Sequence, residues 1–197
     1  MCQTAAHFLK SHTATQHQAL EDVVLARLHA LHTVADYAHL LQQFYGYYHP
    51  LEERIAQRLD DRDLPDLAKR RNARLILEDV TFSNAHTSLL PLATELPLLA
   101  TKAAAWGALY VLEGSTLGGR YITKLLLKND ALNLTEKQVR FFNGYGAETG
   151  AMWRRFVECL DEQGTAARAQ NEMAAAANET FSLFKIWLLE YDNQTEP

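Results

Sequence analysis

The residues best placed to do chemistry lie near the N-terminus, around His17. At about 100° per residue, Lys10, Thr13, Leu20, Glu21, Val24 and Leu28 all fall within roughly 60° of the direction of His17 on a helix. One stripe thus combines an imidazole, a carboxylate one turn on, a cation two turns back, and apolar side chains between them. Neutral imidazole is a good iron ligand, and its other ring nitrogen usually donates to an acceptor that fixes the tautomer. Glu21 is placed to be that acceptor. Lys10 would stand about 10 Å back along the axis, within reach of a carboxylate on the edge of a macrocycle. The spacing fits a plainer reading too, because eight histidines in 197 residues will often leave one on a buried stripe. His7, His12, His29, His32, His39, His49 and His86 read as surface or capping residues.

A second feature is ALYVLEGSTLGGRYI over 108–122. Gly114, Gly118 and Gly119 interrupt an apolar helical pattern, and each costs about 1 kcal/mol against alanine. Against a domain stability of roughly 5–15 kcal/mol, three such costs call for a compensation. Gly114 and Gly118 are one turn apart, so their face carries no side chains and admits a flat ligand to the backbone. Close packing of a neighbouring helix, as in GxxxG pairs, explains the same spacing. The Ser115 hydroxyl favours a polar, watered cavity. A phosphate loop is excluded by the missing strand and the missing GK[ST].

These residues must be positioned by helices. Nine Gly and five Pro are too few for an all-β chain of this length, and Ala, Leu, Glu, Gln and Arg dominate. The pattern predicts an all-α, single-domain protein over 1–197 with six or seven helices. The first runs from about Thr4 to Ala30. Thr33 and Asp36 form a capping box for the second, which Pro50 kinks or breaks. DDRDLPD at 60–66 is a turn, followed by a helix near Leu67–Val80. Thr81–Pro97, with Asn84, Pro91 and Pro97, reads as an irregular connection. Leu98–Leu127 is the long glycine-bearing helix. Thr135 with Gln138 suggests a further cap, and helices near Ala147–Asp161 and Ala166–Tyr191 finish the chain, divided by Gly164.

Composition narrows the partners. A formal charge of −5 argues against non-specific nucleic-acid binding. Cys2 and Cys159 make neither a disulfide framework nor a zinc site. No signal-peptide run and no window of about 18 apolar residues is present, so a soluble cytoplasmic protein is expected, without membrane attachment. Lys69, Arg70, Arg71 and Arg74 form a basic cluster, either a docking patch for an acidic protein or a solvated helix face.

Three blocks resemble one family. LKSHTATQHQALE (9–21) is similar to the proximal helix of haem oxygenases, FYGYYHPLE (44–52) to a segment of the bacterial members' second helix, and AWGALYVLEGSTLGGRYI (105–122) to their distal helix. The last resembles above all the bacterial enzymes that supply biliverdin to phytochromes, and MWRRF (152–156) is similar more weakly. The blocks occur in the family's order. The resemblance implies a haem-oxygenase-type helical fold with haem between the first helix and a glycine-broken distal helix. His17 matches the axial ligand, Glu21 its hydrogen-bonded partner, and Lys10 a propionate contact. Thr13 lies in the same block, and Arg154 and Arg155 are further propionate candidates. Gly114, Gly118 and Gly119 match the glycines over the distal face that let the helix bend. Ser115 stands where mammalian-type members carry an aspartate, so holding a water network would pass to Ser115, backbone carbonyls or water. Ala14 stands in place of a second cation one turn before the ligand.

The resemblance implies a biliverdin-producing oxidoreductase for which haem b is cofactor and substrate. It would consume molecular oxygen and release biliverdin, CO and ferrous iron. Without a flavin or dinucleotide fingerprint, electrons would come from a ferredoxin-like donor or a reductase. A biliverdin-accepting phytochrome is a further expected partner. A haem carrier or sensor without turnover would use the same pocket. A di-iron carboxylate bundle wants paired Glu-x-x-His motifs, and the chain offers only Asp36-x-x-His39.

Overall fold

The computed structural model describes residues 3–81 and 90–194. The expectations for Asn84 and His86 lie outside the described residues. Helix α1 spans Ala5–His12 and α2 spans Ala14–His29, so the single first helix expected from the pattern is divided at Thr13. Three consecutive side chains cause the division. Ser11 Oγ donates to the Phe8 carbonyl (2.9 Å), His12 Nδ1 donates to the same carbonyl (2.8 Å), and Thr13 Oγ1 donates to Leu9 O (2.8 Å). Such back-bonding competes with the ladder and bends helices. The side chain of Asn178 donates to His12 O at 3.0 Å, satisfying a carbonyl at the bend. Stripe arithmetic therefore does not run across Thr13, and Lys10 does not share a helical face with His17.

Helix α3, Val34–Ala56, opens on the expected capping box, with Thr33 Oγ1 accepting from Asp36 N and Asp36 accepting from Thr33 N. Pro50 does not break it. The missing proline N–H leaves the Gly46 carbonyl without its helical donor, and Ala93 N takes that place at 2.8 Å. A side chain at position 46 would collide with Pro91 O and the Trp187 ring, so the glycine lets the 90–101 connection cross α3.

Helix α4 covers only Arg74–Thr81, with a 3-10 turn at Leu67–Lys69 where a longer helix was expected. Helix α5 runs unbroken over Lys102–Leu127, capped by Thr101 Oγ1 accepting from Ala104 N (3.1 Å). Its glycines interrupt the cover of side chains, not the helix. Helix α6 is one turn, Arg140–Asn143, ended by Gly144 at φ 57°, a left-handed value that glycine adopts at little cost. Helices α7, Thr149–Gln163, and α8, Ala167–Gln194, complete the chain.

α8 packs along α5 and α2. Gly107 of α5 lies against the Met173 backbone, so closely that a side chain there would overlap it. Tyr47 donates to Thr180 O (2.9 Å) and Trp187 to Gln43 O (2.8 Å), which pins α3 to α8. The core is one continuous cluster that includes Trp106, Phe156, Phe44, Phe141 and Phe184, so the described residues form one domain around one core.

Candidate functional site

Tyr110 on α5 lies beside Thr13 at the head of α2, and burial pushes the Tyr110 phenol up from its ordinary value while the Thr13 side chain opposes that shift. Thr13 is itself buried. The two helices therefore meet at this level. One turn along α2 from Thr13 lies His17, and one and two turns along α5 from Tyr110 lie Gly114 and Gly118.

His17 is exposed, and its ring meets the edge of Phe181 on α8 at 5.4 Å. Neither of its nitrogens has a hydrogen-bond partner among the described residues. Glu21 is also exposed and makes no bond to His17. A side chain at Gly118 would meet nothing within 4 Å, whereas one at Gly114 would touch the Trp153 ring at 3.8 Å. Leu117 and Tyr121, on the same face of α5, are 48% and 59% exposed. An unpartnered imidazole near an open, apolar, glycine-floored surface fits a flat iron macrocycle. Among the described residues no three His, Cys, Asp or Glu gather to hold a bare metal ion, and haem needs only one protein ligand because its ring supplies the equatorial ones.

Gly119 faces elsewhere. A side chain there would collide with the Phe142 carbonyl of α6, so this glycine serves helix packing. Lys10 is exposed on α1, and Arg154 is exposed on α7 beside Gly150. Neither is ion-paired among the described residues. Arg155 is already engaged, with its Nε 3.8 Å from Asp66.

Behind α5 lies a network that spacing did not reveal. Arg70 pairs with Glu113 and donates to Asp66 at 2.8 Å, with its side chain only 2% exposed. Tyr145 donates to Glu113 (2.8 Å) and accepts from Arg71 N (2.9 Å). Arg71 lies over the Phe141 ring at 4.4 Å and donates to Leu112 O and Ser115 Oγ, both at 2.7 Å. Tyr48 donates to the same Ser115 oxygen at 3.2 Å, and Ser115 donates to Leu112 O at 2.7 Å. A cleft of about 370 Å³, lined in part by Glu52, Arg71 and Glu113, opens behind this network. Burial raises the Glu52 carboxyl to about 7, against the opposing pull of the Ala73 amide and Arg71. Of the expected basic patch, then, only Lys69 and Arg74 are surface residues.

Ser115 is consequently saturated. A hydroxyl offers one proton and two lone pairs, and Leu112, Arg71 and Tyr48 use all three. Arg71 keeps N–H groups to spare, since only one of its terminal nitrogens is bonded among the described residues. It is the functional candidate that sequence reasoning missed, because its partners lie more than 40 positions away.

Comparisons with known proteins agree with this architecture. The family model described as heme oxygenase matches residues 3–190. A heme oxygenase from Xanthomonas campestris pv. campestris (strain 8004) is 37% identical over 92 residues, which are 47% of this chain and 54% of that protein. The chain thus spans about half the length of this curated relative. The heme oxygenase of Neisseria meningitidis, solved with NO and CO bound, superposes with a TM-score of 0.73 at 22% identity, covering 96% of this chain and 92% of that one. The Leptospira interrogans heme oxygenase superposes at 0.74 with 18% identity, covering 95% and 100%. Among the described residues no helix is long and apolar enough to cross a membrane. With nearly its whole length matched by the family model and its helices arranged as in two solved members, the chain belongs to the haem oxygenase family.

Proposed function

We propose that the protein is a haem oxygenase that opens haem to biliverdin, CO and ferrous iron. The observation that carries this reading is the exposed His17 imidazole, without a hydrogen-bond partner among the described residues, one turn along α2 from Thr13, which lies beside Tyr110 one turn before Gly114 on α5. Bound haem supplies the iron that activates oxygen and the macrocycle that is opened.

The chain's own residues do the rest. His17 would hold the iron through a neutral nitrogen. Glu21, one turn on, accepts from the other ring nitrogen once ligation fixes the tautomer. Lys10 and Arg154, neither ion-paired among the described residues, would meet the propionates, and Arg155 would have a lesser part because Asp66 engages it. Gly114 and Gly118, bare of side chains, would let the flat group approach the α5 backbone, with the Trp153 indole walling the Gly114 level. Arg71, anchored through Ser115 and Leu112 to the stretch of α5 that carries the glycines, has N–H groups left to order water reaching the gap from behind α5, and such water would relay protons. No general-acid side chain in the gap is then required.

Oxygen and electrons come from outside: the reading includes a ferredoxin-like donor or reductase, and a phytochrome that accepts the biliverdin, in the cytoplasm. Purified protein loaded with haem and given reductant and oxygen should lose its Soret band as a biliverdin absorption grows. A stable oxy-complex with no biliverdin would make it a haem carrier or sensor instead.

A further inference from the structure

Asp79 is a buried carboxyl that the proposed mechanism does not use. It lies on α4, is 2% exposed, and accepts the Phe141 amide at 2.9 Å through Oδ2. Its Oδ1 is buried with no hydrogen-bond partner among the described residues. A carboxylate at the head of a helix satisfies backbone donors that have no partner within it. Here the helix is α6, a single turn with little stability of its own.

What α6 holds makes this cap consequential. Its Phe142 carbonyl abuts Gly119, the residue after the open Gly118. Its Phe141 ring carries the Arg71 guanidinium at 4.4 Å, and Arg71 is the donor bonded to Ser115. Any shift of α6 is therefore delivered both to the α5 backbone and to Arg71. We propose that Asp79 is a positioning residue for the distal side of the gap, acting through α6 on Gly119 and Arg71. The contacts stand by themselves; only the meaning of "distal" rests on the haem reading.

The groups facing Asp79 are few. From α3 comes the Tyr37 hydroxyl, which donates to Gln138 O; from α6 comes Arg140, paired with Glu78 at 2.5 Å; Glu78 stands on the same helix. Burial, the largest influence, raises the Asp79 carboxyl to about 6, against the pull of the Phe141 and Arg140 amides. The closed state therefore holds the Asp79 proton more tightly than an opened one, and α6 is least firmly held when the carboxyl is charged, as pH rises through that value.

NMR of the haem-free protein tests the proposal. In the wild type the Phe141 amide and the Arg71 Nε–H resonance should titrate together with a midpoint near 6. Exchange at Phe141, corrected for its intrinsic pH dependence, should slow on the order of tenfold below the midpoint. Asp79→Asn, isosteric and neutral, should show the low-pH behaviour throughout and titrate at neither position. In haem-loaded ferrous protein with CO, the C–O stretching band should shift with the same midpoint in the wild type and stay fixed in D79N. Two results overturn the proposal: resonances that titrate alike in wild type and D79N, or a Phe141 response that leaves Arg71 unmoved. Failure to form a Soret band sinks the haem reading alone, because the two resonances still decide whether Asp79 positions Arg71.

Discussion

On α2, His17 and Glu21 stand exposed with no hydrogen-bond partner among the described residues, while behind α5 Arg70, Glu113, Tyr145, Arg71 and Ser115 are buried or half-buried and bonded to one another. The open side keeps its groups available for a ligand. The closed side spends its hydrogen bonds on holding one helix and one guanidinium in place. A binding gap works when the groups that must meet the ligand are left unsatisfied and those that fix its shape are not.

The sharpest way to break this contrast is to open the closed side. Glu113→Ala removes one of the two carboxylates paired with the buried Arg70, together with the acceptor of the Tyr145 hydroxyl. Removing one partner of a buried pair costs about 3–5 kcal/mol, and with Asp66 still holding Arg70 denaturant unfolding should show a loss near the lower end of that range, with haem affinity falling as the network loosens. Glu21→Ala, on the open side, should leave unfolding within about 0.5 kcal/mol of wild type.

Burial also leaves a pH signature on the closed side. Glu52 is raised from 4.5 to about 7 by desolvation, so the native state binds its proton more tightly than the unfolded chain. Its contribution is therefore most favourable below 4.5, declines as pH rises through about 7, and then levels off. Glu52→Gln should flatten this slope and raise stability above neutral pH by on the order of 3 kcal/mol, read from unfolding at a series of pH values.

Two adjacent glycines sharpen the comparison further. Gly119→Ala drives a methyl group into the Phe142 carbonyl, and overpacking of this kind costs about 1–3 kcal/mol. Gly118→Ala meets open space, so the haem-free protein should gain about 0.5–1 kcal/mol from helix propensity while its affinity for haem falls. Thermal unfolding with and without haem separates the two.

Much of this was legible in the sequence, and the exceptions have physical causes. The Thr33–Asp36 box, the helices around it and the glycine-bearing α5 follow from local pattern, and three ordered blocks pointed to the family. The division at Thr13 was hidden because Ser11, His12 and Thr13 each suit a helix singly and break it only by bonding back together. Pro50 looked like a stop because the donor that replaces its missing N–H, Ala93, belongs to a segment crossing 43 residues later. Arg70 and Arg71 looked like surface charge because Glu113 and Ser115 reach them only through the tertiary fold. Local spacing shows faces; it does not show which distant residue a face meets.

The most direct test of the account is the electronic and EPR spectrum of the haem-loaded protein with His17 intact and with His17→Ala. His17 is exposed, so the variant should fold as stably as wild type, within about 0.5 kcal/mol. It should lose the histidine-ligated signature, which added imidazole should restore. An unchanged spectrum in His17→Ala would contradict the account, because the iron would then be held from somewhere other than α2.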